Sequence, residues 1–110
     1  MVVLKNRAKV SVSTTGTGSP IALGAAEDGY QTFAASGVAD GNSVRYILEE
    51  DDAFEIGVGV VGSSGTSLTR SVIESSNSNN PINLGGSATV FIGFTAEDAD
   101  NLFDLNIALG

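Results

Sequence analysis

Cysteine, histidine and tryptophan are absent from this 110-residue chain, and proline occurs only twice. Without cysteine there are no disulfides and no thiolate metal sites, and the redox compartment leaves no trace in the sequence. Without histidine the commonest general base and the commonest neutral metal ligand are missing too. Cations are scarce: 5 Lys and Arg against 13 Asp and Glu, a net charge of −8. That balance excludes a nucleic-acid binder, whose affinity rests on cations neutralising phosphates, and equally a protein held on an anionic membrane surface. Aromatic residues make up 6%. No apolar run approaches the roughly 20 residues that span a bilayer, and Met1-Val2-Val3-Leu4 runs directly into charge rather than into the apolar core of a secretory signal, so the expectation is a chain made in the cytoplasm.

What is present is alternation. Apolar residues make up 42% of the chain, too many for a disordered one, and they recur with period two. Ser43–Glu49, Phe54–Val60 and Ser67–Ile73 read as three successive strands, with Val44, Tyr46 and Leu48 on one face of the first and Phe54, Ile56, Val58 and Val60 on one face of the second. The acidic corner Glu49-Glu50-Asp51-Asp52 and the turn Gly62–Thr66 separate them. Around this meander, Ala8–Ser13, Ile21–Leu23, Tyr30–Phe33, Ile82–Leu84 and Ala88–Phe94 read as further short strands. Thr14–Pro20, Asp40-Gly41, Ser75–Pro81 and Gly85-Gly86 read as turns and loops. Thr95-Ala96-Glu97-Asp98 carries the cap and acidic first turn of a short helix. The sum is an all-β domain, a small antiparallel β-sandwich or barrel of about seven to eight short strands. It is expected over residues 8–98, with an N-terminal arm at 1–7 and a C-terminal extension at 99–110. In that extension Phe103, Leu105, Ile107 and Leu109 alternate as a strand, expected either to close the domain's own sheet or, the favoured reading, to pair with a neighbouring subunit. So few large side chains in so small a domain point to association into a homo-oligomer.

Catalytic patterns fail one by one. Gly57-Val58-Gly59-Val60-Val61-Gly62 matches the dinucleotide-binding Gly-x-Gly-x-x-Gly literally, but it lies within a strand instead of between a strand and a helix. Glycines 57, 59 and 93 read as bulges or tight sheet curvature. No Gly-x-Ser-x-Gly elbow occurs. Two acidic groups, Glu49–Asp52 and Glu97, Asp98, Asp100 and Asp104, lack the spacing of a calcium-binding EF-hand loop. A pair of carboxylates suffices for glycoside hydrolysis, yet the chain has few aromatics to stack on sugars. The expectation is a protein that is not an enzyme and holds no cofactor or metal.

One resemblance links the fragments. In order, Thr14-Thr15-Gly16-Thr17-Gly18, Leu23-Gly24, Gly29–Phe33, Asp40-Gly41, Val44-Arg45-Tyr46, Phe54-Glu55-Ile56-Gly57, Gly65–Arg70, Glu74–Asn77, Asn83-Leu84 and Ala88–Phe91 resemble a small β-rich module of virion structural proteins of tailed double-stranded DNA phages. The resemblance covers residues 7–98 and defines no binding residues. It implies a non-enzymatic virion component whose partners are capsid protein or other virion proteins. The stand-alone size and acidic body add the expectation of a head-surface decoration, cement or spike-base subunit. Contact residues are expected at both ends: Lys5, Arg7 and Lys9, three of the five cations, and Leu102, Phe103, Leu105 and Ile107 in the extension. The alternative is a tail or fibre module binding a host-surface glycan or protein through the loops Gly62–Thr66 and Ser75–Pro81.

Overall fold

The computed structural model describes residues 2–96, 98 and 99. Among these described residues ten strands follow one another: β1 (Val2–Val3), β2 (Lys9–Val12), β3 (Thr15–Gly16), β4 (Ile21–Ala22), β5 (Ser43–Glu50), β6 (Ala53–Gly62), β7 (Ser67–Leu68), β8 (Ser71–Ser75), β9 (Leu84–Gly85) and β10 (Ala88–Ile92). The class is all-β, as the alternation predicts: a curled, half-barrel antiparallel sheet in the order β2-β10-β5-β6-β7-β4, and a second, two-stranded sheet of β3 and β9.

The long hairpin β5–β6, paired from Ser43↔Val60 to Glu50↔Ala53, is the spine of the sheet. Each of its outer edges is shared. β5 takes β10 along Tyr46–Glu49 and, in parallel, β1 along Ser43–Val44. β6 takes β8 along Glu55–Val58 and β7 along Val61–Gly62. Two partners per edge splay the sheet toward its ends, and this curls it around a single core of Val10, Val12, Ile21, Phe33, Val44, Tyr46, Leu48, Val61, Leu68, Leu84 and Val90.

Val44, Tyr46 and Leu48 face that core as the period requires. β6 does the opposite of what its apolar set suggests. Its buried face carries Glu55, Gly57, Gly59 and Val61, while Phe54, Ile56 and Val58 are half-buried and Val60 is exposed on the outer side. Side-chain volume explains the inversion. A Cβ at Gly57 would meet the Ser71 carbonyl oxygen and stand 2.7 Å from Tyr46 Oη, and one at Gly59 would meet the Thr69 carbonyl oxygen and stand 2.6 Å from Leu68 Cδ1. Tyr46 and Leu68 therefore occupy the space that side chains from β6 would fill. A register shift between Ile56 and Gly57 on the β8 side accompanies the glycines.

Three further expectations change. Ser67–Ile73 is not one strand: β7 ends at Leu68, Thr69 and Arg70 break the run, and β8 pairs farther back along β6. Tyr30–Phe33 forms no strand, only an isolated bridge from Gln31 to Ala8, and then turns, with the Ser36 amide donating to Thr32 and the Val38 amide to Phe33. The segment 1–7, expected as an arm, contributes β1 to the sheet. At the other end Thr95 does cap a helical turn: Asp98 Oδ2 accepts from the Thr95 amide at 3.1 Å, and the Ala99 amide donates to the Thr95 carbonyl.

Candidate functional site

Two ion pairs are present among the described residues, and they take up the only two cations that lie outside the first nine positions. Glu55 reaches the core because its position on β6 faces inward, next to Gly57, the following residue on that face. Its side chain is fully buried, and so, within a hundredth, is that of Arg70. Arg70 uses every N–H it has. Nε and Nη2 donate to the two Glu55 oxygens at 3.1 and 2.6 Å, Nη1 to the Gly16 and Gly18 carbonyls at 3.3 and 3.1 Å, and Nη2 again to the Ile82 carbonyl at 2.8 Å. Glu55 accepts in addition from Tyr46 Oη at 2.6 Å and from the Ile82 amide at 3.0 Å. Burial alone would raise the Glu55 carboxyl, but the Arg70 fork, the Tyr46 hydroxyl and the Ile82 amide override it and hold the group below the usual carboxylate range. Tyr46 is pushed far above the usual phenol range, by burial first and then by its bond to the anion. With all donors and acceptors satisfied and no exposed atom, this cluster has no approach for a substrate. It ties β6, the Gly16–Gly18 loop and the Ile82 segment together.

The second pair lies on the outer side of the sheet. Arg45 Nε and Nη2 contact Asp98 Oδ1 at 3.2 and 3.0 Å, and both side chains are buried. Burial again works to raise Asp98, and Arg45 with the Thr95 amide outweighs it, so the carboxyl sits low. Neither pair was anticipated, though a signal exists: in a chain this acidic, an isolated Arg within a strand requires a carboxylate partner.

The acidic corner is structural in the same way. Glu50 is half-buried, and its carboxylate accepts from the Ser87 amide at 2.8 Å and the Gly85 amide at 2.6 Å, bonds that lower its pKa. It thus holds the turn between β9 and β10. Among the described residues no cluster of carboxylates has the arrangement of a metal site; Glu97, Asp100 and Asp104 of the second acidic group lie outside them. The two candidate loops are closed on themselves. Asp40 accepts from the Ser64 and Gly65 amides at 2.9 and 3.0 Å. In the other loop Ser75, Asn77, Asn79 and Asn80 bond one another and the Pro81 carbonyl.

Of the contact residues expected from sequence, Leu102, Phe103, Leu105 and Ile107 lie outside the described residues. Arg7 and Lys9 share the Tyr30 ring. Arg7 takes a left-handed backbone conformation (φ 57°), its guanidinium lies 4.0 Å from the Tyr30 ring centroid, and Nη2 donates to the Gly29 carbonyl at 2.9 Å. Lys9 Nζ sits between two rings, 5.4 Å from the Tyr30 centroid and 5.3 Å from that of Phe91. The Lys5 side chain runs beside Gly37. Among the described residues none of these three cations has a carboxylate within salt-bridge distance. The Gln31 amide and side chain, which donate to the Arg7 and Asn6 carbonyls at 2.8 Å each, fix the backbone beneath them. The arrangement is a basic and aromatic cluster on a chain of net charge −8. Nothing in the described residues pairs a nucleophile with a base at an accessible position.

Comparison of the chain with protein-family models, with curated proteins and with solved structures finds no match. Among the described residues no helix is long and apolar enough to cross a membrane.

Proposed function

We propose that this chain is a non-enzymatic structural subunit of a tailed phage particle, a head-surface decoration, cement or spike-base protein that attaches to the capsid shell. The observation that supports the reading best is the basic and aromatic cluster. Among the described residues Arg7 and Lys9 have no carboxylate within salt-bridge distance; Arg7 lies over Tyr30 and donates to the Gly29 carbonyl, and Lys9 sits between Tyr30 and Phe91, in a chain of net charge −8. Cations already ordered on rings lose less side-chain freedom on meeting carboxylates than cations on free stems. A stable attachment needs on the order of 1,200–2,000 Å² of buried surface in total.

The test is reattachment. Purified chain is added to phage heads that lack it, and bound copies are counted by sedimentation and by cryo-electron microscopy. The expected result is density on the shell, weakened by salt, and at least tenfold weaker binding for an Arg7→Glu/Lys9→Glu variant that keeps its melting temperature, about 1.4 kcal/mol. Binding by that variant equal to wild type, or density confined to the tail, would sink the proposal.

A further inference from the structure

The cluster of Arg7, Tyr30, Lys9 and Phe91 has donors that its own surroundings do not use. Arg7 directs Nε and Nη2 to the Gly29 carbonyl, at 3.3 and 2.9 Å, and its Nη1 has no acceptor among the described residues. Lys9 Nζ faces two rings and belongs to neither ion pair. A guanidinium and an ammonium held within 5.4 Å of one ring centroid call for a pair of carboxylates. Strand addition is closed here: the Lys9 amide donates to the Gln31 carbonyl and the Lys9 carbonyl accepts from the Glu27 amide, so the outer edge of β2 is taken. Recognition at this place is by side chains.

We infer that the occupant is the acidic hairpin corner of a second copy of this chain, with Glu49, Asp51 and Asp52 of one copy docked on Arg7, Lys9 and Tyr30 of the next. Charge complementarity carries the inference. The corner is the longest run of carboxylates in the sequence. Glu49, Asp51 and Asp52 are exposed and belong to neither ion pair. Asp51 and Asp52 close the Glu50↔Ala53 end of the β5–β6 hairpin, and the ladders with β10 and β8 stop at Glu49 and Glu55, so the corner lies beyond both neighbours. Glu50 fixes its base through the Gly85 and Ser87 amides. Alternate residues of an extended chain are about 7 Å apart, a spacing at which two carboxylates reach both cations together. Within one copy the two surfaces do not meet: Glu49 is level with Ser11, and β10 holds their strands roughly 10 Å apart. Because the surfaces differ, the contact is heterologous and builds chains or rings. Exposed ion pairs are individually weak, and two bodies of net charge −8 repel. The association is therefore transient, and it is favoured at about 0.1 M salt, where screening over ~10 Å mutes the long-range repulsion and spares pairs in contact.

Two full-length variants that each keep one surface test it. The corner variant, Glu49→Gln/Asp51→Asn/Asp52→Asn, retains the cluster; the cluster variant, Arg7→Gln/Lys9→Gln, retains the corner. Asp51 has a left-handed backbone (φ 52°), which Asn adopts as readily, and melting temperatures check that both variants fold. Amide NMR spectra are followed up to about 1 mM protein, which covers contacts of millimolar Kd. The expected result is that wild-type shifts move with concentration while those of each variant alone do not. Labelled corner variant titrated with unlabelled cluster variant should show saturable shifts at Arg7, Lys9, Gly29 and Tyr30, and the reverse labelling should show them at Glu49–Asp52. Salt at about 1 M, which screens within ~3 Å, should weaken the contact on the order of tenfold or more. A wild type whose spectra do not change with concentration overturns the inference, as does a corner variant that associates with itself like the wild type, or titration shifts that fall elsewhere. The shell reading fails separately: the corner variant keeps Arg7 and Lys9, so that reading requires it to attach to phage heads whether or not copies associate.

Discussion

Replacing Arg70 by Met removes the one side chain that satisfies Glu55 and three carbonyl groups at once. The guanidinium closes two bonds to a fully buried carboxylate, at 2.6 and 3.1 Å, and three to the Gly16, Gly18 and Ile82 carbonyls. Met fills much of the same volume, so the loss is electrostatic and not steric. Glu55 keeps only the Tyr46 hydroxyl and the Ile82 amide, and the Gly16–Gly18 loop loses its tie to β6. Breaking a buried pair from one side costs about 3–5 kcal/mol, because the remaining charge stays desolvated. At ~4 °C or more per kcal/mol for a domain of this size, Arg70→Met should lower the melting temperature by about 12 °C or more. Adding Glu55→Gln to Arg70→Met removes the stranded charge and should recover part of that loss, a coupling of about 1–3 kcal/mol. Thermal unfolding followed by circular dichroism on the wild type, the two single variants and the double variant closes the cycle. A loss below about 1 kcal/mol for Arg70→Met, or strict additivity in the double variant, would refute the claim that the pair acts as a buried unit.

The same groups set the pH response. Glu55, Asp98 and Glu50 all titrate below their ordinary values in the folded chain. Their contribution is therefore complete above the unfolded carboxylate pKa of about 4 and is lost as pH falls through the lower folded values. Tyr46 titrates above its ordinary value, so its contribution holds below about pH 10 and is lost as pH rises beyond it. The melting temperature should be level between about pH 5 and 9 and fall on both sides; a Glu55→Gln chain should show a shallower acid limb, and an unchanged limb would rule Glu55 out as a source. At Gly57 an added methyl meets the Ser71 carbonyl and Tyr46 Oη, both of which are held in place. Gly57→Ala should cost about 1–3 kcal/mol despite the better strand propensity of alanine, and a neutral effect in chemical denaturation would show that the Tyr46 ring has room to move.

The sequence alone determined the class and most of the strands. Period-two alternation survives without tertiary information because a strand half-buried in a sheet must alternate, so Val44, Tyr46 and Leu48, and Val90 with Ile92, were legible with the correct face. The cap at Thr95 was legible for a local reason, since its bond to Asp98 spans three residues. What only the tertiary structure decided is which face of β6 looks inward. Hydropathy assigns Phe54, Ile56, Val58 and Val60 to the core, yet Tyr46 and Leu68, contributed by other strands, fill the space over Gly57 and Gly59 and turn the apolar set outward. Glu55 then points into the core, and its partner Arg70, fifteen positions on, is brought there by the break after Leu68. Local sequence records how a strand alternates; which of its two faces is buried depends on the volume that distant residues have already claimed.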